Sequence, residues 1–190
     1  MLMRNRYVSG SFQERKFESN RGVDPFSFGF NTNTQDDQYM SGEEIVIELV
    51  SIVANNGNYL LNIGPKKDGS IHEPQRRSLT DAGEWIRSHE DAIFGTHYWS
   101  TIQHSGSFRY VQKPEAFFIH HIGQPGSQVT ISDPVPWVAG DVVTVVGGSQ
   151  DGAVIDTSKN DDGDFVLNLT EDMVNGDKYV WTFKIAYSTE

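Results

Sequence analysis

The chain has 190 residues, 37% hydrophobic and 22% charged, an ordinary globular composition for one large domain or two small ones. A complete (β/α)8 barrel takes roughly 200 residues at the least and typically about 250, so a whole barrel with an added domain is excluded. Lys and Arg total 15 against 26 Asp and Glu, and the resulting charge of −11 repels phosphate backbones and anionic lipid, so no nucleic-acid or membrane partner is expected.

The absence of cysteine rules out disulfide scaffolds, thiolate metal sites and cysteine nucleophiles. No apolar run approaches the ~20 residues of a membrane span. The start Met1-Leu2-Met3-Arg4-Asn5-Arg6 is too short and too charged for a secretory signal.

The N-terminal stretch from Gln13 to Asn31 is the densest mixture of aromatic, acidic and glycine residues in the chain. Aromatic rings beside a few polar groups suit a sugar pocket, because C–H faces stack on rings while hydroxyls need hydrogen-bond partners. Phe26, Phe28 and Phe30 also alternate as on a strand, and a core role fits that spacing equally well. Glu14, Glu18 and Asp24 are the nearby carboxylates; a retaining glycosidase needs a pair about 5–5.5 Å apart, which sequence spacing does not report. Glu14 reads best as a solvated surface group.

Gly42 to Ala54 places Ile45, Val46, Leu49, Val50, Ile52 and Val53 on a broad apolar helical face, with Ser41 and Glu44 as a capping box and Asn55-Asn56-Gly57 as the stop. Asn58 to Ile63 is an apolar run closed by Gly64-Pro65, which predicts a strand buried on both faces with parallel neighbours. Lys66 to Ser70 is a turn. A second helix starts near Pro74, with Leu79, Ala82 and Ile86 at helical spacing. This half reads as α/β.

From Trp99 onward short β-type runs alternate with turn residues: Phe108 to Gln112, Ala116 to His121, Gln128 to Ser132, Val142 to Val146, Phe165 to Leu169 and Tyr179 to Tyr187. In the last of these Tyr179, Trp181, Phe183, Ile185 and Tyr187 form one stripe. The pattern predicts an antiparallel β-sandwich, with a boundary near residues 97–106 and the β part as the more autonomous unit.

His120 and His121 are adjacent on a β-run, point to opposite faces and cannot readily share a metal. His89, Asp91 and His97 surround a helix end without zinc-ligand spacing, Gly147-Gly148 reads as a hairpin turn, and Asp161 to Asp164 reads as an acidic turn. No metal and no cofactor is proposed. Asn168-Leu169-Thr170 is a glycosylation sequon that reads equally well as a strand-end polar cluster, and it tilts the localisation toward a secretory-pathway parent.

The run from Asn55 to Pro65, then Asp68-Gly69-Ser70-Ile71, Gly83-Glu84-Trp85-Ile86 and Ala92-Ile93-Phe94-Gly95-Thr96, closely resembles the α-L-fucosidases of glycoside hydrolase family 29. Upstream, Phe17-Glu18-Ser19-Asn20 and Ser27-Phe28-Gly29-Phe30-Asn31 resemble that family's Trp-Glu and Ser-Phe/Tyr-Gly-Tyr-Asn motifs, with Phe17 in place of Trp, a variant associated with fungal members. The resemblance covers about residues 4–100; the remainder agrees in placement and texture with the family's C-terminal β-sandwich.

The fold this implies is α/β plus all-β. Residues 1–98 would be the C-terminal part of a (β/α)8-like catalytic barrel and residues 99–190 a β-sandwich domain. The implied activity is retaining hydrolysis of terminal α-L-fucose from a fucosylated glycan or glycoside, by an Asp nucleophile and a separate acid/base carboxyl. The nucleophile and the fucose-binding histidines would lie before Met1, so no catalytic residue is assigned within the chain. A gapless extension from Arg6 to Gly10 puts Asn5 at the acid/base position, and Asn cannot donate a general-acid proton as Glu does. Phe28 matches the position whose ring packs against the sugar's methyl group and is the one substrate contact carried over. On this reading the chain is a fragment, inactive alone, as from a truncated gene model. The alternative is a non-catalytic β-sandwich module for carbohydrate binding or interaction that retains a vestigial barrel segment.

Overall fold

The computed structural model describes residues 14–187. Strands β1 (Phe17–Gly22) and β2 (Gly57–Asn62) pair in parallel, from Phe17 opposite Gly57 to Gly22 opposite Asn62. A parallel pair needs a crossover, supplied here by helix α1 (Gly42–Ala54). The expected capping box is present: Ser41 Oγ accepts from the Glu44 N–H, and the Glu44 carboxylate accepts from the Ser41 N–H at 2.8 Å. Asn56, in the left-handed region at φ 70°, turns the chain from α1 into β2. Helix α2 (Glu73–Ser88), with Pro74 in its first turn, packs on α1, and Val46, Val50, Ala82 and Trp85 form a core with Tyr59 and Leu61 of β2.

The expectation that β2 is buried on both faces is not met. Tyr59 and Leu61 face the helices, but Asn58 and Leu60 face outward, Leu60 being 45% exposed. The reason is geometric: α1 and α2 cover one side of the β1–β2 pair, and among the described residues no further strand or helix lies over the other. Glu18, Asn20, Asn58 and Leu60 therefore share a largely open face.

After the short helix α3 (Glu90–Ile93), β3 (His97–Tyr98), β4 (His104–Ser105), β5 (Phe108–Lys113), β6 (Ala116–Ile122), β7 (Gln128–Ile131), β8 (Val143–Val146), β9 (Asp156–Lys159), β10 (Phe165–Asn168), helix α4 (Glu171–Asn175) and β11 (Val180–Ala186) follow. They form two antiparallel sheets: a six-stranded one in the order β3-β5-β6-β11-β8, with β4 also beside β5, and a three-stranded one in the order β7-β10-β9. Trp181, Phe183 and Ile185 of β11 point into one core with Val129, Ile131, Phe165 and Leu167 of the smaller sheet, as the alternation predicts. Tyr179 departs from that stripe. At φ 68° it swings out of strand geometry, packs with the helical core and donates its hydroxyl to Asp81 Oδ2.

The opposite face of the six-stranded sheet is covered by the helices. Val180 packs with Trp85 and Ile45; Val111, Ala116 and Phe118 pack with Ala54 and Ala92; and Trp85 Nε1 donates to the Val180 carbonyl at 3.0 Å. Lys113 and Lys184 both donate to Asp91, at 2.7 and 2.8 Å. Burial alone would raise the Asp91 carboxyl, but these two hydrogen bonds outweigh it and hold the group below its usual range. Cutting before residue 99 would bare Val111, Phe118 and Val180, so the β part relies on the helices more than its local hairpins suggest.

His120 lies on this helix-facing side, fully buried, with Nδ1 2.9 Å from Thr182 Oγ1; burial, then the neighbouring His89, push it down to about 3, so it is a neutral core group. His121 points the other way, against Phe108, as the strand period requires. The acidic turn forms as expected, Asn160 Oδ1 accepting from the N–H groups of Asp162 and Asp164.

Candidate active site

The two parallel strands deliver two loops side by side. After Gly22 the Val23 N–H donates to the Asn62 carbonyl at 2.9 Å, so the chains separate at one level. The first loop, residues 23–35, is shaped by Asp24. That carboxylate is 4% exposed and fully engaged, accepting from the Phe26 N–H at 2.8 Å and from Thr34 Oγ1 at 2.9 Å. It is a loop-forming group.

Glu18 sits on the open sheet face and accepts from Asn58 Nδ2 at 3.0 Å. Glu14 is exposed, as expected for a surface carboxylate. The structure thus brings no pair of these three carboxylates into a common pocket.

The strand expected from the Phe26, Phe28 and Phe30 alternation does not form. The segment is a series of bends, with Phe26 41% and Phe28 60% exposed. The first of the bends follows from the Asp24 carboxylate, which accepts from the Phe26 N–H and so gives the backbone a local partner instead of a ladder. Phe28 is presented at the loop tip, while its carbonyl is fixed by Asn62 Nδ2 at 2.7 Å.

The second loop starts at Gly64. Gln75, fully buried on α2, clamps this residue from both sides, accepting from the Gly64 N–H at 3.0 Å and donating to its carbonyl at 3.2 Å. A Cβ on Gly64 would lie 2.6 Å from both the Gly29 carbonyl carbon and the Phe30 nitrogen, so the two loops touch through glycine backbone. Gly64→Ala should therefore cost about 1–3 kcal/mol and shift the Phe28 and Phe30 amide resonances. Urea unfolding followed by an amide correlation spectrum checks this, and an unshifted Phe28 would show that the loops are not coupled.

Beyond Gly64, Lys66 Nζ lies 5.6 Å from the Phe30 ring centre, His72 meets that ring edge-on at 5.5 Å, and His72 Nε2 is 3.0 Å from Asp36 Oδ1. Sequence reasoning missed Asn62, Gln75 and His72 as site-building residues. Asn62 and Gly64 could have been found, since they stand in the Asn-Ile-Gly-Pro run; Gln75 carries no signal, being one polar residue on an amphipathic helix.

Residues 1–91 match the family model described as Alpha-L-fucosidase. The chain matches the C-terminal portion of an α-L-fucosidase. It is 32% identical to rat (Rattus norvegicus) plasma alpha-L-fucosidase over 120 residues, which are 62% of this chain and 26% of that protein. Against the alpha-L-fucosidase of Branchiostoma floridae it is 31% identical over 134 residues, 68% of this chain and 30% of that one. The solved α-fucosidase of Thermotoga maritima, in complex with a mechanism-based inhibitor, superposes with a TM-score of 0.81 at 27% identity, covering 95% of this chain and 42% of that one. The chain thus spans between a quarter and a third of the length of these two curated fucosidases. The two loops with Phe28, Asn62 and Gly64 lie within the segment that the fucosidase family model matches, whereas Asn5 lies outside the described residues. Among the described residues no helix is long and apolar enough to cross a membrane.

Proposed function

We propose that these residues form the closing part of the catalytic barrel of a retaining α-L-fucosidase, followed by a β-sandwich, with residues 1–98 and 99–190 as the two units. The observation that carries this reading is the half-covered parallel pair: α1 and α2 shield one side, while Glu18, Asn20, Asn58 and Leu60 stand open on the other. In a (β/α)8 barrel the helices ring the outside and inward side chains fill the interior, so this open face is the one that would line the barrel. The two loops leave the C-terminal ends of the parallel strands, where barrel enzymes place their chemistry.

In this reading Phe28 offers its exposed ring to the methyl group of a terminal α-L-fucose, an apolar contact on an otherwise hydroxylated ligand. The substrate is a fucosylated glycan or glycoside, and the parent protein belongs to the secretory pathway, as the plasma relative and the sequon at Asn168 support. Retaining hydrolysis needs a nucleophile and an acid/base held together, and Asp24, Glu18 and Glu14 do not supply such a pair. A polypeptide of these 190 residues alone should show no turnover of an aryl α-L-fucoside above buffer, while a longer polypeptide containing the rest of the barrel should release fucose. Turnover by the 190 residues that vanishes on mutating Glu14, Glu18 or Asp24 would overturn the assignment. Absence of turnover in the longer polypeptide would favour a non-catalytic binding module.

A further inference from the structure

Asn168 is the last residue of β10, the central strand of the three-stranded sheet, and it opens Asn168-Leu169-Thr170, the single Asn-X-Ser/Thr triplet of the chain. Phe165 and Leu167 point into the core between the sheets, so the strand period turns Asn168 to the outer face. There it is partly exposed between its register partners Gln128 and Asp156, and these two, together with Thr130 and Ser158, are exposed. Its side chain accepts from Gln128 Nε2 at 3.2 Å and donates from Nδ2 to Asp156 Oδ2 at 3.1 Å. The amide nitrogen carries two hydrogens, and among the described residues the second has no partner.

We propose that Asn168 is a modification site, its second amide hydrogen replaced by an N-linked oligosaccharide that stands on the outer face of the smaller sheet. The proposal rests on the secretory-pathway reading of the parent protein. In the transfer, the bond from sugar C1 to the phosphate oxygen of a lipid-diphosphate-linked oligosaccharide breaks, C1 bonds to Nδ2, and the displaced amide proton leaves to a base. The product keeps one N–H for Asp156 and its carbonyl oxygen for Gln128, so it has the groups for both hydrogen bonds. The helices cover the far face of the six-stranded sheet, so the oligosaccharide projects away from them into solvent. The Thr170 hydroxyl, which completes the triplet, accepts from the Met173 N–H at 3.3 Å and caps α4 in the folded protein.

Secreted from a eukaryotic host behind a supplied leader, the 190-residue protein should carry one N-glycan. Peptide N-glycosidase should lower its mass, and peptide mapping should then find an aspartate in place of Asn168. Asn168→Gln and Thr170→Asn should each lose the glycan, whereas Thr170→Ser should keep it. Thr170→Asn removes the triplet but retains a good N-cap side chain, so its loss of glycan would not reflect an unfolded α4. An unmodified Asn168 in the secreted protein, or a glycan that persists in Asn168→Gln, would overturn the site. A glycan at Asn168 with the supplied leader supports the site; its absence from the longer polypeptide isolated from its own source would then overturn the secretory-pathway reading instead.

Discussion

Trp181→Asp is expected to abolish cooperative unfolding. Trp181 is 5% exposed near the start of β11, packed in the core shared by the two antiparallel sheets, and its indole N–H donates to the Met173 carbonyl at 3.2 Å. Removing a buried Trp side chain costs about 3–5 kcal/mol, and placing a carboxylate there without a cation adds a desolvation cost of several kcal/mol more. A total stability of about 5–15 kcal/mol does not absorb that sum. Far-UV circular dichroism against urea should show a sloping curve for Trp181→Asp and a sharp, moderately shifted transition for Trp181→Phe. A cooperative transition within 1 M urea of the parent midpoint would show that β11 is not a core strand.

Gly147→Ala should be the most damaging single-methyl substitution at the seam between the helices and the six-stranded sheet. Gly147 has φ 81° and ψ −175°, a region open essentially to glycine alone and costly by about 1–3 kcal/mol for other residues. A Cβ there would fall 2.2 Å from His89 Cε1 and 2.4 Å from Nε2. The ring cannot step aside. It is fully buried, stacked on Trp85 at 3.9 Å, donates from Nδ1 to the Trp85 carbonyl at 2.8 Å, and holds Nε2 2.8 Å from Asp177 Oδ2.

Overpacking and backbone strain together predict a loss of about 3–5 kcal/mol for Gly147→Ala. The double variant with His89→Ala should lose less than the sum of the two singles, because the clash disappears with the ring. Urea midpoints for the four proteins test this, and strict additivity would place the strain elsewhere.

The sequence by itself determined the local elements and the resemblance to α-L-fucosidases. Helix α1 was legible to the residue because its apolar period, its capping box from Ser41 to Glu44 and its Asn-Asn-Gly stop all act within a few residues. The strands from β5 to β11 were largely legible for the same reason, since alternation and turn chemistry are local signals. Short elements with weak patterns, β9 and α4, were not read, because an exposed strand carries no apolar stripe and a five-residue helix carries no period.

Only the tertiary structure decided how those elements are used. Whether Phe26 and Phe28 are core or loop depended on Asp24 finding Thr34, a contact spanning ten residues. Whether β2 is buried on both faces depended on which other strands lie beside it, and whether Tyr179 continues its stripe depended on Asp81 drawing it toward α2. The site was legible only as a set of residue types around Phe28. Its construction by Asn62, Gln75 and the glycine contact at Gly64 required the chain to fold, because hydrogen bonds and close approaches between distant segments leave no periodic trace in the sequence.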